Sequence, residues 1–351
     1  MAKRLDDIVN QNGIELVLLK EDDLASLRQD NLLARGLAQW AAARDCLAET
    51  GGQMFLPFFD HVLFGAAVDR RPVRGQISGI VFRPPNSHNL PKTLRRRVGT
   101  ARRWGTYLAA RRPAVRRMFT LDELAAQSAI SRPMGLLKFL PDPTPDMSLL
   151  SDRKQRPRAD GRRSYLLFGS LGARKGIFTT LDALAHLPEE ARKGVALRFV
   201  GRALPQERDE FCKRLARARA DHPEIVIEWV EDFVDDSTLA QEVTDCDVVM
   251  APYQNHIGSS GVMFWANSAG KPLIGQHTGL IGYQLKHYNL GLAVDTTDPR
   301  ALAHAMITVE ARPSNAVFLR AHSPEAFNTT ILDSLFSDPL SGNASTKGSL
   351  S

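Results

Sequence analysis

The sequence predicts an α/β protein in two halves, each a parallel sheet flanked by helices. Three observations carry this. Short apolar runs alternate with amphipathic, helix-like runs through the second half. Most of those apolar runs end in Gly, Ser, Asp or Pro, the residues of tight turns. The 351 residues also suffice for two domains with a generous core.

In the first half the strand candidates are IELVLL (14–19), QMFLPF (53–58), QISGIVFR (76–83), RRMFTL (116–121) and LLKFLP (136–141). Helices are expected over 23–49 and 90–111. The stretch 141–163, rich in Pro, Asp and Arg, reads as a hinge or linker. In the second half the strands are SYLLFGS (164–170), VALRFVG (195–201), IVIEWVED (225–232), DVVMAPY (247–253), KPLIGQ (271–276) and LGLAVD (290–295). Helices are expected between them, as at 177–187, 204–220 and 299–310. Apolar strand cores separated by amphipathic helices mean β-α-β units. The expected domains are residues 1–150, a linker over 151–163, residues 164–337, and a polar, disordered tail over 338–351.

Composition narrows the function. Hydrophobic content of 43% with 24% charged residues fits a soluble globular chain rather than a disordered one. No apolar run is long enough to span a membrane. The N-terminus MAKRLDDIVNQ lacks the apolar core of a signal peptide. Cys46, Cys212 and Cys246 match neither a metal motif nor a disulfide framework. A cytoplasmic protein is expected, with no metal and no resident cofactor.

Two loops of the second half share a chemistry. GSLGARKG (169–176) joins a strand to a helix, with Gly169, Gly172 and Gly176 letting the backbone turn and Lys175 supplying a charge. HIGSSGV (256–262) brackets Ser259 and Ser260 between Gly258 and Gly261. Amides exposed at a helix start favour an anion, and the serine hydroxyls could join them around phosphate oxygens. Both loops belong to the carboxyl ends of strands, where open parallel sheets bind ligands. Together they point to a diphosphate. Neither fits GxxxxGK[ST] or GxGxxG, which argues against a P-loop NTPase and a dinucleotide dehydrogenase.

With these loops in their order, the run from FGSLGARKG through RFVGRA, DCDVVMAPYQNHIGSSG and ANSAGKPLIGQHTGLIG to LGLAVDTTDPRALAHAM resembles the nucleotide-sugar domain of retaining GT-B glycosyltransferases, family 4 or glycosyl transferases group 1. GIVFRPPNSHN, FTLDELAA and FLPDP are fainter echoes of its acceptor domain. The resemblance implies two Rossmann-like domains facing a cleft, the N-terminal one shortened. It implies transfer of a sugar, with retention, from a nucleotide-diphosphate donor to a glycan or lipid-linked acceptor. By that resemblance Gly169, Ser170, Arg174 and Lys175 hold the diphosphate, Phe233 and Val234 touch the base, and Gly258, Ser259, Ser260 and Gly261 bind phosphate. Arg83 and His88 are the implied catalytic residues near the anomeric carbon, with His256 a further candidate. The family's two glutamates, eight residues apart, fall here on Ile257 and Trp265. Their loss keeps a second reading open, a non-catalytic binding or scaffold protein.

Residues 91–117 carry ten Lys or Arg and no acid. Leu94, Val98, Ala101, Trp104 and Leu108 recur at helical spacing. The stretch reads either as a solvated surface helix or as a basic amphipathic helix lying on an anionic membrane. No nucleic-acid motif accompanies it, so nucleic acid is not an expected partner.

Overall fold

The structure is a computed structural model that describes residues 27–28, 30–84, 104–127, 137–144, 148–151 and 153–336. The expected strand at 14–19, His88, residues 91–103 and the tail lie outside the described residues. The chain divides into two compact units, Met1–Gly79 with Trp104–Arg116, and Ile80–Arg103 with Arg117–Ser351.

The first unit opens with α1 (Leu32–Thr50). Asn31 Oδ1 accepts the amides of Leu33 and Ala34, satisfying two donors the helix itself cannot. The helix stops at Gly51, whose positive φ of 69° suits glycine. β1 (Gln53–Leu56) follows, then α2 (Leu63–Val68). β2 (Gln76–Ile80) pairs in parallel with β1, Gln53 opposite Gln76. Residues 104–110 are helical (α3). Trp40, Leu47 and Phe59 are fully buried in this unit. A Cβ at Gly65 would stand 2.4 Å from that of Trp40, so α2 reaches α1 only because it carries glycine there.

β3 (Val115–Thr120) leads into the second unit, where α4 (Glu123–Gln127) and β4 (Lys138–Phe139) follow. β3 pairs in parallel with β4 through Phe119 and Thr120. The chain then runs through β5 (Arg163–Phe168), α5 (Ile177–Ala183), β6 (Val195–Val200), α6 (Arg208–Asp221), β7 (Val226–Val230) and α7 (Asp236–Asp245). It continues through β8 (Val248–Ala251), α8 (Gly261–Ser268), β9 (Leu273–Gln276), α9 (Gly279–His287), β10 (Gly291–Val294), α10 (Pro299–Thr308), α11 (Ala316–Ala321) and α12 (Pro324–Phe336).

These strands form a six-stranded sheet in the order β10-β9-β8-β5-β6-β7, every neighbouring pair parallel. Alternate side chains fall on opposite faces. Tyr165 and Leu167 of β5 enter one core with Ile177, Leu197 and Leu302, while Leu166 and Phe168 enter the other with Val249, Phe264 and Phe318. The sheet is buried on both faces, which is why its strands read as unbroken apolar runs.

The Pro- and Arg-rich stretch before β5 is strapped along α7 and β7. Arg153 donates to Ser237 and Gln241, Arg156 pairs with Asp245, and Arg158 lies between Asp160 and Glu228. Among the described residues no helix is long and apolar enough to cross a membrane, and no group of His, Cys, Asp or Glu is arranged to hold a metal ion.

Candidate functional site

Two strand-to-helix turns lie against each other at the carboxyl end of the six-stranded sheet. The first follows β5, the second follows β8, and these strands are neighbours. Gly176 joins the turns. Its φ is 75°, and a Cβ there would stand 2.0 Å from the Pro252 carbonyl oxygen. The Gln254 amide donates to the Arg174 carbonyl at 2.8 Å, fixing the two backbones together.

The first turn is built around Lys175. Gly169 has a φ of 97°, and a Cβ there would stand 2.6 Å from Lys175 Nζ. The ammonium donates to the Phe168 carbonyl and lies over the rings of Phe168 and Tyr253 at 5.8 and 5.7 Å. Burial and the neighbouring Arg174 lower its pKa to about 8. Gly172 differs from the sequence expectation. Its φ of −168° is ordinary extended backbone. What requires glycine is the packing of Leu204 Cδ1, 2.5 Å from where a Cβ would stand. Three amides of this turn are engaged, Ala173 with Glu207 Oε2 at 2.6 Å, Lys175 with the Gly172 carbonyl and Gly176 with that of Ala173.

The second turn keeps its amides free. Among the described residues the amides of Gly258, Ser259, Ser260 and Gly261 donate to no protein acceptor. Gly261 is the first residue of α8. The hydroxyls behave otherwise. Ser259 Oγ donates to Asp142 Oδ2 at 2.6 Å. Ser260 Oγ caps α8 by accepting the Val262 amide, and shares a 2.8 Å hydrogen bond with the Tyr253 hydroxyl. Both hydroxyls are thus engaged within the protein, whereas the amides are not. Gly258 and Gly261 have no strained φ, and nothing lies within 4 Å of a Cβ built on Gly261. Their lack of side chains leaves the amides uncovered.

His256 connects the turns. Arg174 Nη1 lies 3.0 Å from His256 Nδ1, and His256 Nε2 lies 3.0 Å from the Ser259 carbonyl. A guanidinium only donates and a carbonyl only accepts. The ring must therefore be neutral, with its proton on Nε2. Burial first, and then the cations Arg174 and Lys175, depress its pKa in agreement, against the Ser259 hydrogen bond that raises it. Stacking on Tyr253 at 4.8 Å holds the ring flat. From the other side Gln276 accepts the His256 amide at 3.1 Å and donates to its carbonyl. Arg174, His256 and the 258–261 turn are thus linked by direct contacts, Lys175 packs on the same Tyr253 ring as His256, and Asp142 accepts from Ser259. Burial raises the Asp142 pKa, opposed by the Ser259 hydrogen bond.

Ser170 is exposed in the first turn. Phe233 is 79% exposed after β7, whereas Val234 packs partly against the core. Arg83 is exposed just past β2. Trp265 is buried in α8 within the core that also holds Phe264. Sequence reading missed Asp142, Tyr253 and Gln276. Asp142 sits in FLPDP, far along the chain, and only folding brings it to Ser259. A hollow of about 470 Å³ lined by Arg158, Arg163, Asp247 and Lys271 lies at the opposite end of the strands. Open parallel sheets bind ligands at their carboxyl ends, so the turns and not this hollow are the candidate site.

Residues 162–311 match the family model of the glycosyl transferases group 1. That span contains both turns. Solved structures are similar over most of the chain. HepE (Alr3699) of Anabaena in complex with UDP is 18% identical, with a TM-score of 0.61 over 85% of this chain and 83% of that one. An α,α-trehalose-phosphate synthase (UDP-forming) from Burkholderia vietnamiensis is 14% identical, with a TM-score of 0.68 over 91% and 88%. WaaG, a glycosyltransferase involved in lipopolysaccharide biosynthesis, is 13% identical, with a TM-score of 0.51 over 88% and 82%. No curated protein sequence matches the chain. The α/β fold with parallel sheets is the one these GT-B glycosyltransferases share.

Proposed function

We propose that the chain transfers a sugar from a nucleotide-diphosphate donor to an acceptor hydroxyl. One observation carries the reading. Four consecutive free amides lead into α8, on a turn that His256 links to Arg174 and, through the Tyr253 ring, to Lys175. Such a surface suits a diphosphate. The group 1 match over the same residues supports it, as do the HepE complexes with UDP and with UDP-glucose.

Transfer with retention asks the protein to stabilise the leaving diphosphate and to place the acceptor on the face the donor leaves. Preorganised amides and a lysine held by packing do the first without reorganisation at the moment of reaction. Lys175 neutralises phosphate charge directly, and Arg174 adds a second cation while it orients His256. Phe233 and Val234 are the proposed base contacts, and Arg83 and His88 the groups near the anomeric carbon. The proposed acceptor is a glycan or lipid-linked glycan.

The binding-only alternative has an observation of its own, the apolar Ile257 and Trp265 where the related glycosyltransferases carry carboxylates. Calorimetric screening of UDP-, GDP- and dTDP-sugars, followed by assay of released diphosphate, decides between them. Binding with release or transfer supports the enzyme. Binding without turnover supports the scaffold, and no binding removes both.

A further inference from the structure

We propose that Asp142 is a positioning residue of the diphosphate site, deciding whether the Ser259 hydroxyl gives its proton to the protein or to the donor. This role rests on the diphosphate reading of the two turns and adds one residue to it. The two partners come from distant parts of the chain. Asp142 follows β4 between Pro141 and Pro143, and a residue before proline is confined to extended backbone. Its carbonyl meets His322 Nδ1 at 3.2 Å, and two residues on the Thr144 amide donates to the His322 carbonyl at 2.8 Å. Ser259 is held from its own side, its carbonyl 3.0 Å from His256 Nε2. Both ends of the 2.6 Å hydrogen bond from Ser259 Oγ to Asp142 Oδ2 are thus anchored by the protein itself.

A hydroxyl has one proton and two lone pairs, and a carboxylate only accepts. While Asp142 is ionised, the Ser259 proton is committed to it, and Oγ offers a phosphate nothing but lone pairs. The carboxylate also stands one hydrogen bond from a turn whose four amides are open to an anion. A proton taken from solvent reverses the chain. The carboxyl then donates to Ser259 Oγ, and the Ser259 proton turns to a phosphate oxygen. One proton enters from water and none leaves the protein. Among the described residues no cation pairs with the Asp142 carboxyl, and burial raises its pKa against the Ser259 hydrogen bond alone. The titratable and charged groups around this contact are otherwise occupied. His322, at the end of α11, meets the Asp142 backbone, while His256, Arg174 and Lys175 of the two turns engage Ser259, one another and the Phe168 carbonyl. A half-buried carboxyl without a cation partner is one that a second anion can protonate.

The test is titration calorimetry of UDP into the full chain, wild type and Asp142→Asn, from about pH 7.5 down to 5. An asparagine amide has nearly the shape of the carboxyl and donates to Ser259 Oγ at every pH. Asp142→Asn should therefore bind UDP about tenfold more tightly than the wild type at the upper end. The gap should close as pH falls and the wild type gains its proton, while the protonation of UDP itself cancels in the comparison. Buffers of different ionisation enthalpy should show the wild type taking up more protons on binding than the variant. A merely structural Asp142 would weaken binding when replaced and move neither readout. The gain should also need the hydroxyl, so in a Ser259→Ala background Asp142→Asn should change affinity by less than about twofold. Should Asp142→Asn melt early, Ser259→Ala alone carries the test. It keeps the carboxylate and should lose the extra proton uptake, and uptake equal to the wild type would overturn the proposal. Equal affinity and equal uptake in folded wild type and Asp142→Asn overturn it too. So does an undiminished gain in the Ser259→Ala background, which assigns the effect to charge repulsion alone. UDP binding to neither protein removes the diphosphate reading along with this role, whereas wild-type binding without these differences removes this role only.

Discussion

Gly169 and Lys175 are two halves of one arrangement, since the lysine occupies the place a side chain at 169 would take. Gly169→Ala must displace Nζ and adopt a φ of 97°, unfavourable for any residue with a Cβ. It should destabilise the protein by about 1–3 kcal/mol by denaturant titration and weaken diphosphate binding as well. Lys175 also sets a pH dependence. A diphosphate needs the ammonium, and burial has brought its pKa down to about 8. Above that pH, binding must first take up a proton. UDP affinity should therefore hold through neutral pH and fall as pH rises beyond 8, by up to about tenfold per unit. Titration calorimetry across this range checks it, and Lys175→Ala should abolish the dependence. The same slope in both proteins would place the titrating group elsewhere.

The turn from β8 into α8 is an anion site because its backbone is bare. Gly261→Val covers that backbone without meeting anything in the protein. Binding should drop severalfold or more while the melting temperature stays within a few degrees. Ser260→Ala inverts the pattern. It removes the α8 cap and the Tyr253 partner, costing about 1 kcal/mol of stability and less in affinity. If Ser260→Ala loses UDP while Gly261→Val keeps it, the hydroxyls and not the amides hold the phosphate. Most elements of the second unit were legible in sequence, because strands buried on both faces read as plain apolar runs. The glycine turns were legible too, although for Gly172 the reason proved to be the packing of Leu204. Asp142 was not legible. Its partner Ser259 lies 117 positions away, and a Pro-Asp-Pro run looks like any loop. Nor could sequence show that the Ala173 amide is already taken by Glu207.

At the scale of the molecule, His322 ties the chain around Asp142 to the C-terminal helices. The Thr144 amide donates to the His322 carbonyl at 2.8 Å, and His322 Nδ1 lies 3.2 Å from the Asp142 carbonyl. The ring is fully buried among Phe139, Phe264, Phe318 and Tyr288. Burial lowers its pKa to about 4, against the Asp142 hydrogen bond that raises it. Between pH 6.5 and 4 the unfolded chain therefore binds the proton that the folded one refuses. Stability from this group is intact above pH 6.5 and drains away as pH falls toward 4, by up to about 3 kcal/mol. Urea unfolding at stepped pH should show that slope in the wild type and a shallower one in His322→Leu. Equal slopes would assign the acid sensitivity to other groups. The fold thus keeps Asp142, Ser259 and the free amides of α8 in register, and the account rests on what those amides and Lys175 bind. Titration calorimetry of UDP into the wild type and into Lys175→Ala tests this most directly. The account predicts binding to the wild type and a loss of about 1.5–3 kcal/mol, roughly 10- to 150-fold, in a variant that melts normally. Equal UDP affinity in the two folded proteins would contradict it.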